Sequence, residues 1–174
     1  KAYKAKAYQT VARQKGYFAT RLKDFDELFQ TLPRDVSDHP YLIKKFGTQL
    51  APQAALSIDL RRGNDKHGDF IADAVRGQGG RGVGCERIYA QNIEGRNDNK
   101  NFIGSTKGAF AIVGDAEKIT GRAYIAEGLA NAITYYLTTG KPCVVALNAL
   151  NLKPVIPFVR GEYANNITIL ADND

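Results

Sequence analysis

Arg122-Ala-Tyr-Ile-Ala-Glu127-Gly128 and Asn166-Ile-Thr-Ile-Leu-Ala-Asp172-Asn-Asp174 are the two stretches whose reading decides the fold. Each is a short apolar run that ends in acid, as a buried strand does where it emerges at a sheet edge. Between them, Leu129, Ala132, Ile133, Tyr136 and Leu137 recur on one face of a helix over Leu129 to Thr139. Gly140 stands where a helix-ending glycine belongs, with Pro142 just beyond it. Cys143 to Leu147 is a continuous apolar run of the kind buried on both faces of a parallel sheet. A second helix follows, capped at Asn151 or a neighbour and reaching towards Tyr163; Pro154 fits its first turn, while Pro157 predicts a distortion.

The pattern is βαβαβ. Right-handed crossovers make its strands parallel, so their C-terminal ends line one edge, and open α/β sheets place their sites there. Glu127 and the Asp172/Asp174 pair fall at two of those ends. Magnesium, a hard cation, takes carboxylate oxygens, keeps several waters and bridges to substrate phosphates. Carboxylates gathered at one edge therefore suit phosphoryl or nucleotidyl transfer with Mg²⁺ or Mn²⁺. Any one of these acids alone reads equally well as a helix cap or a solvated strand end; the combination is more specific.

Upstream the organisation changes. Residues 1–50 read as a helical segment: a pair of helices divided near Gly16 and stopped by Pro33, then a helix opened by Ser37-Asp38-His39-Pro40, carrying Tyr41, Leu42, Ile43 and Phe46 and ending at Gly47. Residues 51–121 read as a basic, mixed α+β subdomain in which Ala55–Leu60, Phe70–Val75, Arg87–Ile93 and Ala109–Val113 are short strands between polar turns. Residues 122–174 form the α/β unit. The chain starts at Lys1 and ends inside the acidic motif, and it reads as an excerpt of a longer protein.

The net charge is +6, and its distribution is uneven. Residues 1–122 carry 21 Lys/Arg against 14 Asp/Glu, whereas residues 123–174 carry 3 against 4. A basic body beside a nearly neutral α/β unit fits a nucleic-acid partner, because each cation placed on a phosphate releases counterions. Two basic loops are the candidates for that contact: Arg61, Arg62 and Lys66 in one, Arg76 and Arg81 flanking a glycine-rich run in the other. The second loop offers backbone amides to a phosphate chain but lacks the Gly-Lys-Ser/Thr ending of a Walker loop; a plain hairpin connection explains it equally well. Cys85 and Cys143 are isolated, which excludes a disulfide framework or a Cys-x-x-Cys zinc site and fits a reducing, cytoplasmic setting. His39 and His67 suit surface or capping roles. No apolar run is long enough to span a bilayer.

Ala-Tyr-Ile-Ala-Glu-Gly-Leu-Ala-Asn-Ala, then Thr-Gly-Lys-Pro-Cys-Val-Val-Ala-Leu-Asn-Ala-Leu-Asn-Leu, then Ile-Thr-Ile-Leu-Ala-Asp-Asn-Asp together resemble the Toprim domain shared by bacterial primases, topoisomerases, some nucleases and recombination mediators. The resemblance covers Arg122–Asp174 and is greatest to primases of conjugative plasmids and phages. A lesser likeness to the region preceding Toprim in those primases runs from His39 to Gly114. By this resemblance Glu127 is the motif glutamate, a general acid/base or metal-site residue, and Asp172 and Asp174 are the metal-binding Asp-x-Asp. The activity implied is synthesis of RNA primers on single-stranded DNA from ribonucleoside triphosphates, with a replicative helicase or a fused helicase domain as a further partner. Two other readings are a Toprim nuclease or topoisomerase, and a non-catalytic nucleic-acid-binding module.

Overall fold

The computed structural model describes Glu27, residues 29–80 and residues 82–171. The helical pair expected before Pro33, Arg81, Asp172 and Asp174 lie outside the described residues, apart from the last few positions of that pair.

Helix α1 spans Pro40–Leu56. His39 caps it: its Nδ1 accepts the Tyr41 amide at 3.3 Å, and Pro40 occupies the first turn, where no amide is needed. Gly47 is not the stop that its position suggests. It takes a left-handed φ of 71°, kinks the helix, and lets a second helical stretch run on to Leu56. Ala51 and Ala54 bury themselves in that stretch, so the strand expected from Ala55 begins only at Leu60.

Strands β1 (Leu60–Asp65), β2 (Gly68–Arg76), β3 (Gly82–Tyr89) and β4 (Lys100–Gly104) form an antiparallel sheet in sequential order. The basic stretch expected to be a turn is mostly strand: only Lys66 and His67 turn, between paired Asp65 and Gly68. Strand β3 starts and ends earlier than its apolar signature suggested, and β4 had no signature. Side chains alternate across this sheet, with Ile71, Val75 and Ile88 facing one core and Phe70, Ala72, Cys85 and Tyr89 another.

Strands β5 (Ala111–Val113), β6 (Arg122–Ala126), β7 (Cys143–Val145) and β8 (Asn166–Leu170) form the second sheet, in the order β5-β7-β6-β8. Strand β6 pairs in parallel with both β7 and β8, and β5 runs antiparallel to β7. The sheet thus begins upstream of Arg122, the boundary drawn from the sequence. Helix α2 (Leu129–Thr139) and helix α3 (Ala149–Glu162) cover opposite faces. Ala126, Cys143 and Val145 meet Leu129, Ala132 and Ile133 of α2; Ile125 and Val144 meet Val155 and Val159 of α3. Each such large side chain removed from water contributes about 1.5–3 kcal/mol, which is what holds strands this short in place. Gly140 ends α2 in the left-handed conformation, its amide bonding the Tyr136 carbonyl.

Helix α3 departs from expectation. It is capped by Asn148, whose side chain accepts the Asn151 amide at 3.1 Å, and it runs unbroken through Pro154 and Pro157. The carbonyls these prolines leave unpaired belong to Leu150 and Lys153, both exposed, so solvent satisfies them. Asn151 is buried and bonded three ways: to the Gly108 amide and to the carbonyls of Ala109 and Ala146.

Candidate active site

Glu127 follows directly on β6, half-buried at the C-terminal edge of the second sheet. Among the described residues its carboxylate makes no hydrogen bond or ion pair. Gly128 then opens α2 in an extended conformation, with no side chain bonded to the first-turn amides. The chain leaves β6 for β7 on one side and returns past it to β8 on the other. Strand order reverses at this point, and open α/β sheets bind ligands in the crevice so formed. Ala126 pairs with Leu170, so Glu127 stands one residue past a paired position; in sequence Asp172 follows Leu170 by two residues.

The first sheet brings a further group to this edge, one that the sequence reading missed. Lys100 on β4 places its Nζ 4.0 Å from where a β-carbon on Gly128 would stand. The same ammonium is 2.9 Å from Glu86 Oε1. Glu86 is fully buried on β3, and its register partner across to β2 is Asp73, also buried. Neither Asp73 oxygen has a hydrogen-bond partner, and neither does Glu86 Oε2. Burial pushes the Asp73 carboxyl well above the usual range, and the Glu86 charge pushes it further. Burial raises Glu86 as well, but Lys100 opposes that by charge and hydrogen bond. Of the two, Asp73 is the carboxyl pushed furthest towards its protonated form, while Glu86 keeps the ion pair with Lys100. Lys100 sits in a run of Asn and Asp that reads as a turn, and only strand register reveals it.

The basic residues singled out from the sequence divide in the structure. Arg61 is 3% exposed. Its guanidinium bonds Asp59, the Gln30 side chain and the Gln30 and Leu32 carbonyls, and it lies over the Phe29 ring. Arg62 grips Asp69 through two nitrogens, at 3.0 and 2.8 Å, and also pairs with Asp38. The expectation that these two face a phosphate backbone is corrected: strand pairing turns Arg61 inward, and neighbouring carboxylates neutralise Arg62. Lys66 is exposed beside a cleft of about 430 Å³ lined by His67, Asp69, Gln91, Asn92 and Glu94, among others. Arg76 is exposed too. In the glycine-rich loop the Gly79 amide already donates to Glu162 Oε1 at 2.5 Å, so an internal carboxylate takes a position that a phosphate would want. That loop is the β2–β3 connection.

No family model matches the chain, and no curated protein does. Solved structures do. The RNA polymerase domain of Mycobacterium tuberculosis primase DnaG, in complex with double-stranded DNA, superposes with a TM-score of 0.50 at 10% identity, over 94% of this chain and 65% of that one. The E. coli primase catalytic core gives a TM-score of 0.56 at 13% identity, over 88% of this chain and 62% of that one. A DnaG primase catalytic domain bound to single-stranded DNA gives 0.52 at 12%, over 94% and 63%. The chain shares the fold of primase catalytic cores. It spans less than two thirds of the length of those structures.

The donor set at this edge suits a hard divalent cation rather than a soft one. Glu127 offers carboxylate oxygens with no partner among the described residues, while both cysteines are buried. Among the described residues no three potential metal ligands converge. No described helix is long and apolar enough to cross a membrane.

Proposed function

We propose that this chain is the catalytic part of a Toprim-type DNA primase, of the conjugative-plasmid or phage kind, that makes RNA primers on single-stranded DNA. The observation that carries the reading is the position of Glu127: a carboxylate with no partner among the described residues, at the point where strand order reverses, in a fold shared with primase catalytic cores. Glu127, Asp172 and Asp174 hold Mg²⁺ or Mn²⁺. When bound, such an ion neutralises phosphate charge and lowers the pKa of the attacking hydroxyl. Lys100, fixed by Glu86 beside Gly128, presents an ammonium to a ribonucleotide's phosphates at the same edge. Lys66, Arg76 and Arg81 guide the template, and a replicative helicase, separate or fused, supplies it.

The test is incorporation of labelled ribonucleotides on single-stranded template by the full protein, with Mg²⁺ or Mn²⁺. Asp172→Asn keeps the shape and removes an ionic ligand, and it abolishes synthesis while template affinity stays within about twofold. Synthesis at the wild-type rate by that variant rules out the assigned role. Nicking of supercoiled plasmid without any primer product replaces the reading with strand cleavage.

A further inference from the structure

Strand β6 has a second end. Opposite the acidic edge, Arg122 opens the strand, and the β6–β7 register (Ile125 with Val144) sets Lys141 alongside it. These two, with Lys118, Ile119, Thr120, Tyr124 and Pro142, line an open cleft of about 300 Å³. Arg122 and Lys141 are exposed, and among the described residues the Arg122 guanidinium hydrogen-bonds the Thr168 hydroxyl, at 3.1 Å. Lys118 is 74% exposed, and its partner Asp115 is at the limit of an ion pair, 3.9 Å away. Tyr124, on the wall of the cleft, packs against Tyr135 behind it with centroids 4.8 Å apart and planes tilted by 35°, and Lys141 Nζ lies 5.7 Å from the Tyr124 centroid. A hydrogen bond from Tyr135, and then the Lys141 and Arg122 charges, hold the Tyr124 hydroxyl below the usual phenol range. None of these residues belongs to the acidic edge or to the basic loops.

We infer that this cleft is an accessory subsite for a single strand of nucleic acid, with Lys118, Arg122 and Lys141 on its phosphates and Tyr124 as a stacking surface for a base. Three poorly neutralised cations around a ring pair match a chain that alternates phosphates with flat bases. An acidic peptide would use the cations but not the rings. Lys141 lies over Tyr124 at an exposed position, so it can swing to a phosphate and leave the ring face to a base. Arg122 and Glu127 are five residues apart on one strand. At about 3.3 Å per residue that is roughly 16 Å, which a few nucleotides cover. The subsite rests on the proposed nucleic-acid function and gives the strand a second hold at the far end of the sheet.

The experiment is binding of labelled oligothymidylate and oligouridylate to the full protein by fluorescence anisotropy, without divalent metal, over a range of salt. Lys118→Ala with Lys141→Ala changes two surface side chains and leaves the fold intact. It should weaken binding and flatten the salt dependence by about 1.4 in slope, 0.7 for each phosphate no longer neutralised. Tyr124→Leu should weaken binding about tenfold with the slope unchanged, its melting curve serving as the fold control. Loss with both oligomers assigns the subsite to single strands generally; loss with one assigns it to that chemistry. Affinity and slope unchanged in the double lysine variant overturn the inference. So does loss of polyglutamate binding with oligonucleotide binding intact, which makes the cleft a protein-docking site. Because this readout needs no metal, it is separate from primer synthesis: absence of synthesis by the wild type defeats the primase reading and not the subsite.

Discussion

Asp73 and Arg61 mark opposite outcomes for a buried charge-bearing side chain. Arg61 is satisfied by a carboxylate, a side-chain amide and two carbonyls, whereas neither Asp73 oxygen is satisfied. Truncating Arg61 therefore leaves acceptors unpaired in the interior, at about 1–3 kcal/mol. Arg61→Ala should lower the Tm by several degrees and leave the salt slope of template binding unchanged; a flattened slope at constant Tm would return Arg61 to the nucleic-acid surface. For Asp73 the sign runs the other way. Its folded carboxyl holds a proton more tightly than the unfolded one, whose ordinary value is 3.8. The unfolded state gains by ionising as pH rises above that value, so stability is full below it and declines towards neutrality. Asp73→Asn should raise the Tm at pH 7 to 8 and have an effect that shrinks towards zero near pH 4, read from thermal melts across that range. An equal shift at every pH would show that Asp73 is ionised in the folded protein.

At the level of elements, the parallel unit was the most legible part of the chain. Strand β6, helix α2 and strand β7 announce themselves because their residues are buried on a regular period and their ends carry glycine or proline. Strand β4 was invisible for the converse reason: its residues are half-buried or exposed, and a half-buried strand has no contrast between faces. Gly47 and Pro157 misled through the same confusion, since a residue that weakens a helix ends it only where packing does not carry it on. Val155 and Val159 anchor α3 on either side of Pro157. Replacing that exposed proline supplies an amide for the Lys153 carbonyl, so Pro157→Ala should stabilise by roughly 1–3 kcal/mol, as a rise in denaturant midpoint at constant m. A fall in midpoint would mean that the ring's effect on the unfolded chain outweighs the missing bond. Of the site, Glu127 was readable because an acid at the end of an apolar strand is conspicuous; Lys100 was not, because its place depends on a register set by β2 and β3.

At the scale of the molecule, one core joins what the sequence divides. Leu42 and Ala54 of α1, Ile71 and Ile88 of the first sheet, Ala126 and Val145 of the second, and Ile133 of α2 pack into a single cluster. Domains that share a core unfold together. Urea titrations followed by far-ultraviolet circular dichroism and by tyrosine fluorescence should give one coincident transition. Two separated midpoints would mean that the basic subdomain and the parallel sheet hold together only weakly.

Between those two sheets the backbone itself makes a stitch: Arg76 and Phe110 exchange amide and carbonyl in both directions, at 2.7 and 2.8 Å. Such a double bond between backbones resists shear as well as separation. On the proposed function, a template on the antiparallel side and a nucleotide at the parallel edge would be held by one continuous frame, like work and tool clamped in the same vice. On that function, advancing the strand by one base would slide the polymer across the frame rather than shift one sheet past the other.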